Sequence, residues 1–184
     1  MTILEHVPFG DTFLQVAQTF TNELRVRKAV SSGGWIFSKW SSEILVKQLA
    51  DWQKHYLPVS VKGKTVLDVG AGEGETAFFF LSHGAEKVIC IECDGEKASN
   101  LQKNSFNHNI ESYFRKFNLT DLDKRFDFLK MDIEGYEEAL LGVNLHAPAV
   151  IEVHGLQLVD KFRDAGYRME KAPSGLCRYA FWKC

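Results

Sequence analysis

The sequence contains no apolar run long enough to cross a membrane; its most hydrophobic stretches, TAFFFL and AVIEV, are the size of a strand or a short helix. Its first residues, MTILEHVPFGD, show neither the basic start nor the apolar segment of a signal peptide, so a cytoplasmic location without membrane partners is expected. Cysteine is scarce: Cys90 and Cys93 form a C-x-x-C, and Cys177 and Cys184 lie near the end. A zinc site is the sharp reading of that spacing, but ICIEC has a strand pattern, whereas zinc knuckles present their thiolates from turns. Reduced, mostly buried thiols are therefore expected. Excess charge is lacking too. A net charge of −2 leaves no strong nucleic-acid footprint. The densest basic cluster, Arg25, Arg27 and Lys28 in RVRK, reads as a solvated face before it reads as a phosphate site. Internal repeats and low-complexity segments are absent.

What remains is the composition of an ordinary globular domain: 184 residues, 45% hydrophobic and 25% charged, enough chain to bury a full core. From residue 64 onward, apolar strands alternate with amphipathic helices. KTVLDV (64–69), KVICIE (87–92), ESYFRKF (111–117), FDFLKMDI (126–133) and AVIEVH (149–154) read as strands. GETAFFFLSHG, GEKASNLQKNSFNHN, GYEEALLGV and LQLVDKFRDAG read as the helices between and after them, the first stopped by Gly84. The end, YRMEKAPSGLCRYAFWKC, reads as two strands around a Pro-Ser-Gly turn. Such a series predicts an α/β fold, a mostly parallel sheet with helices on both faces and an antiparallel C-terminal hairpin. Residues 1–60 are expected to form an appendage: a hairpin of LRVRKAV and WIFSKW around SSGG, then an amphipathic helix over 40–57, acting as a substrate lid or simply sealed to the core by Trp35, Phe37, Trp40 and Trp52. Residues 61–184 then make the main domain.

The informative stretch is VLDVGAGEGETAFFF, Val66 to Phe80, a glycine loop between a strand and a helix. In an open parallel sheet the ligand binds beyond the carboxyl ends of the strands, where the order reverses, and the loop after the first strand is the place to look. A dinucleotide fingerprint fits on paper if counted through Gly72, Gly74 and Ala77. That register begins late and sets Glu73 and Glu75 beside a pyrophosphate with no Lys or Arg in the loop, a like-charge arrangement that costs free energy. A cofactor bearing a sulfonium and an ammonium, S-adenosylmethionine, suits these acids, with Asp68 placed to meet the amino group directly or through water. Glu92, about 20 residues beyond Gly70, stands where an acid grips ribose hydroxyls, in either cofactor.

VLDVGAGEGETA followed by VICIECD resembles the first two motifs of class I S-adenosylmethionine-dependent methyltransferases, and FLKMDIEGYEEALLGV, Phe128 to Val143, resembles the signature of the FkbM-type methyltransferases. AVIEVHG resembles the strand that follows in that family, and the likeness covers about residues 60–170. The resemblance implies a Rossmann-like, seven-stranded methyltransferase sheet and cofactor binding by Asp68, Gly70, Ala71, Gly72, Gly74, Glu92, Cys93 and Asp132. The chain is compact between its second and fourth strands, where Asn118 and Asp121 are the candidate adenine contacts.

Methyl transfer from a sulfonium is an in-line displacement, so alignment is the main task, and a hydroxyl acceptor must also lose a proton to a base or beside a metal. By analogy with the family, the ends of the fourth and fifth strands face the methyl group. They carry Asp132 and Glu134, then Glu152 and His154, each pair on one face while its strand stays regular. Asp132, Glu134 and His154 are therefore the catalytic candidates, and Asp132, Glu134, Glu152 and His154 the candidate ligands of magnesium or another divalent ion. Glu134 capping the next helix and His154 as a bonded strand-end residue are the structural alternatives, with Gly135 shaping the turn and Tyr136 packing. The expected function is O-methylation of a small-molecule hydroxyl. The alternatives are an RNA or protein methyltransferase using Arg25, Arg27 and Lys28, an NAD-dependent oxidoreductase, and a non-catalytic nucleoside-binding module.

Overall fold

The computed structural model describes residues 24–172 and 178–182, and the chain divides into two units, Met1–Trp35 and Ile36–Cys184. In the first unit, residues 24–32 are helical, with Arg25, Arg27 and Lys28 exposed. The hairpin expected here does not form. Ser31 and Ser32 turn their hydroxyls back onto the Lys28 carbonyl, at 3.1 and 2.7 Å, and Gly33 N–H donates to Ala29 O at 2.9 Å. SSGG thus closes a helix, where glycine is the usual terminator.

The second unit opens with helix α1, Lys39–His55, capped by Ser38, whose side chain accepts from the Ser41 N–H. The boundary expected at residue 60 would have left this helix outside the main unit; it lies inside. Strands β1 (Thr65–Val69), β2 (Lys87–Glu92), β3 (Ile110–Phe114), β4 (Phe128–Met131), β5 (Ala149–Val153), β6 (Arg168–Lys171) and β7 (Arg178–Trp182) form one sheet in the order β3-β2-β1-β4-β5-β7-β6. Pairing is parallel from β3 through β5, and β7 runs antiparallel between β5 and β6. This is the seven-stranded, Rossmann-like sheet that the motifs implied. The order reverses between β1 and β4, so the cleft expected from topology lies beyond their carboxyl ends.

Strand parity divides the buried side chains. Leu67, Val69, Leu129, Met131, Ile151 and Val153 join one core with Leu140, Leu145 and Phe162 of the connections and of helix α4, Val159–Asp164. Phe128 and its like-parity neighbours face α1 and helix α2, Glu75–Ser82: Phe80 packs edge-on to Phe128 and stacks on Tyr56, while Trp52 meets Phe79. Helix α2 is buried over most of its length because it lies between the sheet and α1, which explains the run of three phenylalanines. Helix α3, Gly95–Ser105, follows β2 and is capped by the Asp94 side chain.

The helix expected from GYEEALLGV is only a short 3-10 turn, Glu137–Leu140. Glycines in the left-handed region, Gly135 at φ 84° and Gly142 at φ 81°, bound it on both sides and leave room for little more than one turn. Among the described residues no helix is long and apolar enough to cross a membrane. Cys90 is a buried free thiol, pushed up in pKa by burial, and Cys93 is an exposed one; Cys177 and Cys184 lie outside the described residues.

Candidate active site

The β1–α2 loop leaves the strand through Gly70, φ 74°, whose N–H donates to Ile91 O at 2.9 Å. A Cβ at this position would stand 1.8 Å from the backbone oxygen of Asp132, so β1 and β4 approach here as only glycine permits. Beneath the loop lies Lys130, a charge 1% exposed. Its Nζ donates to Gly70 O at 2.8 Å, meets Asp68 Oδ1 at 3.0 Å and lies 3.9 Å from Asp132 Oδ2. Strand register dictates the contact, since Asp68 and Lys130 are Cα partners across β1 and β4. Burial pulls the Lys130 pKa down, but Asp68 and Asp132 outweigh it, and the ammonium is held charged.

Asp68 therefore does not line the cavity. It is fully buried, bonded to the Thr76 hydroxyl and paired with Lys130, and it supports the loop from behind. The expected direct contact with a cofactor amine is replaced by an internal ion pair. Gly74 likewise stands outside the lining, as the left-handed N-cap of α2. The other acids of the loop also divide. Glu73 is buried and accepts the Ser38 N–H at 2.6 Å, away from the cavity; Glu75 lines it, with burial pushing its carboxyl up. The loop's negative charge is thus smaller toward the cavity than the sequence suggested.

Gly70, Ala71, Gly72, Glu92, Cys93 and Asp132 all line one cavity of about 880 Å³. Glu92, at the end of β2, accepts three backbone N–H groups at 2.8 Å, from Gly72 on one oxygen and from Cys93 and Asp94 on the other. It thereby ties the loop after β1 to the loop after β2. Trp40, Ile44 and Trp52 of α1 form a further wall.

In the same cavity Asp132, Glu152 and His154 converge, with one ligating atom from each within 4.8 Å of the others. β4 ends at Met131, so Asp132 already lies in the connection, with its N–H still donating to Val69 O at 2.9 Å. His154 Nε2 stands 3.5 Å from Asp132 Oδ1, and its Nδ1 bonds Glu137 Oε1 at 2.6 Å. Glu137 is fully buried, and it also accepts the N–H groups of Gly135 and His154. Burial would raise its pKa; the bonds from His154 overcome that and hold it low. The same bond, aided by Asp132 and Glu152 against burial, raises the pKa of His154. Tyr56, the C-cap residue of α1, donates to Glu152 Oε2 at 3.0 Å, and burial with the nearby carboxylates keeps it a phenol.

Glu134 departs from the expected pairing. It lines the cavity but is exposed in the turn after β4, outside the convergent cluster, because the strand ends before the two-residue period can reach it. Asn118 and Asp121 do not line the cavity: they cap the 3-10 turn Leu119–Asp123 reciprocally, and Asp121 is bonded to Arg115. Lys116 and Phe117 line that side instead. The residues missed by sequence reading are Tyr56, Lys130 and Glu137. Lys130 and Glu137 both lie within FLKMDIEGYE, the stretch that carries the FkbM-type resemblance, and that stretch was the available signal.

Residues 110–169 match the methyltransferase FkbM domain. Over 103 residues the chain is 33% identical to the histone-arginine methyltransferase CARMER of Drosophila mojavensis, a match covering 53% of this chain and 19% of that protein. The chain thus spans about a fifth of the length of the curated relatives it matches. Aeropyrum pernix fibrillarin, solved with natively bound S-adenosyl-L-methionine, superposes with a TM-score of 0.57 at 14% identity, covering 73% of each chain. The ribosomal protein L11 methylase of Lactobacillus delbrueckii subsp. bulgaricus does so with a TM-score of 0.54 at 18% identity, covering 78% of each. At these identities the two structures speak for the fold. Sheet order and motif order therefore agree with the fold of the S-adenosylmethionine-dependent methyltransferases, and residues 110–169 carry a match to their FkbM domain.

Proposed function

We propose that the chain methylates a hydroxyl oxygen of a small-molecule acceptor, taking the methyl group from S-adenosylmethionine. The observation that carries this reading is that Gly70, Ala71, Gly72 and Glu92 open onto the same cavity as Asp132 and His154. The residues present fit the cofactor. The loop has no side chain at Gly70 to keep a ligand off its backbone, and a carboxylate has about four acceptor positions, so Glu92 retains one for a ribose hydroxyl beyond its backbone bonds. S-adenosylmethionine, when bound, supplies an electrophilic methyl group.

The protein's part is alignment and handling of the acceptor proton. Lys130 holds the loop carbonyl and the carboxyl end of β4 in fixed relation. Glu137 fixes the imidazole from behind, so that Nε2 is the atom of His154 presented beside Asp132. That atom meets either the acceptor hydroxyl or a divalent cation that binds it. Similarity to histone-arginine methyltransferases favours a second reading, a protein acceptor, with the exposed Arg25, Arg27 and Lys28 taking part in contact. Peptide binding that falls steeply with salt would distinguish it.

Calorimetric titration with S-adenosylhomocysteine, beside NAD, tests the proposal. Micromolar binding of the former alone is expected, weakened at least about tenfold by Glu92→Ala, since a charge-assisted hydrogen bond contributes about 1.5–3 kcal/mol. His154→Ala should retain that binding yet lose turnover. Binding of NAD alone would overturn the assignment.

A further inference from the structure

We infer that Asp132, Glu152 and His154 form a binding site for a divalent cation at the acceptor end of the cavity. This rests on the methyltransferase reading for its purpose, though not for its geometry. The three side chains come from the connection after β4, from β5 and from the residue beyond it, and each offers one oxygen or nitrogen within 4.8 Å of the others. An ion with bonds of about 2.0–2.3 Å sets neighbouring ligands about 3 Å apart and opposite ones a little over 4 Å. The 3.5 Å between His154 Nε2 and Asp132 Oδ1 lies in that range, and no two of the three ligand atoms are more than 4.8 Å apart.

Each ligand is also held from behind. Glu137, fully buried, fixes His154 through Nδ1, the carboxylate–histidine arrangement that orients metal-binding imidazoles. The Tyr56 hydroxyl donates to Glu152, and Lys130 stands 3.9 Å from the second oxygen of Asp132. The side chains of His154 and Asp132 are 29% and 36% exposed, so the site opens onto the cavity and leaves coordination positions for water or an acceptor oxygen. Two oxygens and one imidazole suit Mn2+, Mg2+ and Fe2+ more than a thiolate-seeking metal. A hydroxyl bound there becomes more acidic. As its oxygen bonds the methyl carbon and the carbon–sulfur bond breaks, its proton passes to water, and His154 serves as a ligand rather than as the base.

The test is titration of the purified protein with Mn2+, followed by electron paramagnetic resonance, without cofactor. One saturable ion per chain is expected. Spin-echo modulation should detect a single imidazole nitrogen on the wild-type ion, a readout that needs no variant to fold. Asp132→Asn and His154→Ala should weaken binding beyond tenfold, Glu137→Gln by about 10-fold or more, and Glu134→Gln not at all. Absence of saturable binding up to about 1 mM overturns the site, as does a bound ion with no nitrogen ligand or one indifferent to Asp132 and His154. S-adenosylhomocysteine titration of the same sample separates the two readings: cofactor binding without Mn2+ binding removes the cation alone, whereas failure of cofactor binding removes the methyltransferase assignment.

Discussion

Lys130→Met is expected to destabilise the protein by about 3–5 kcal/mol, the usual cost of removing one partner of a buried ion pair. The side chain is 1% exposed and its partner Asp68 is fully buried. Without the ammonium, Asp68 keeps the Thr76 hydroxyl as its bond, and Gly70 O loses the donor at 2.8 Å. Burial already pushes the Asp68 carboxyl up, against the pull of Lys130 and Thr76. Losing Lys130 removes the larger of those opposing effects, so the folded variant holds a proton on Asp68 to higher pH than the unfolded chain does. A group with a raised folded pKa contributes stability that is present below its unfolded pKa and lost as pH rises through its folded one. The deficit of Lys130→Met should therefore shrink as pH falls from 7 toward 4. Asp68→Asn in the same chain should recover much of the loss at neutral pH, because no uncompensated charge remains. Urea unfolding of the single and double variants at several pH values measures this. A loss under about 1 kcal/mol, or a double variant no more stable than the single one, would show that the pair does not carry the loop.

The same pair marks the limit of what the sequence made legible. β1, β2, β4 and β5 could be read because strands covered on both faces appear as nearly continuous apolar runs. The glycine loop could be placed because it follows such a run directly. Asp68 and Lys130 each sit inside one of those runs, and their pairing depends on β4 lying beside β1, which neither local stretch encodes. Read locally, Asp68 is therefore an acid at a strand end beside a glycine loop, open to a cofactor. Glu134 departs from the expected pairing for a different reason. The two-residue period does not run past Met131, where the backbone leaves the strand, and the acid bonded to His154 Nδ1 is Glu137, delivered by a 3-10 turn. GYEEALLGV has a helical pattern, but glycines of positive φ on both sides restrict it to that turn. LRVRKAV fits either period, and the serines that bond back onto Lys28 settle it as helix.

Gly70→Ala should be the most damaging change in the loop. The added methyl would lie 1.8 Å from Asp132 O and 2.8 Å from Asp132 C, both backbone atoms in a chain fixed by the Asp132 N–H bond to Val69. No rotamer relieves that overlap, so the loop must move away from β4, taking with it the carbonyl that Lys130 binds and the backbone that lines the cavity. The residue also sits at φ 74°, where a side chain adds about 1–2 kcal/mol of strain; with overpacking the loss should reach about 3–5 kcal/mol. Two other glycines calibrate it. At Gly72 the methyl would meet the Glu75 carboxylate at 2.6 Å, the end of a side chain that can turn aside. At Gly135, φ 84°, it would meet nothing within 4 Å, leaving backbone strain alone. Thermal unfolding and S-adenosylhomocysteine affinity should therefore rank Gly70→Ala far below Gly72→Ala, with Gly135→Ala the mildest in both. If Gly70→Ala proved no worse than Gly135→Ala, the close approach of the loop to β4 would not be what shapes the cofactor end of the cavity.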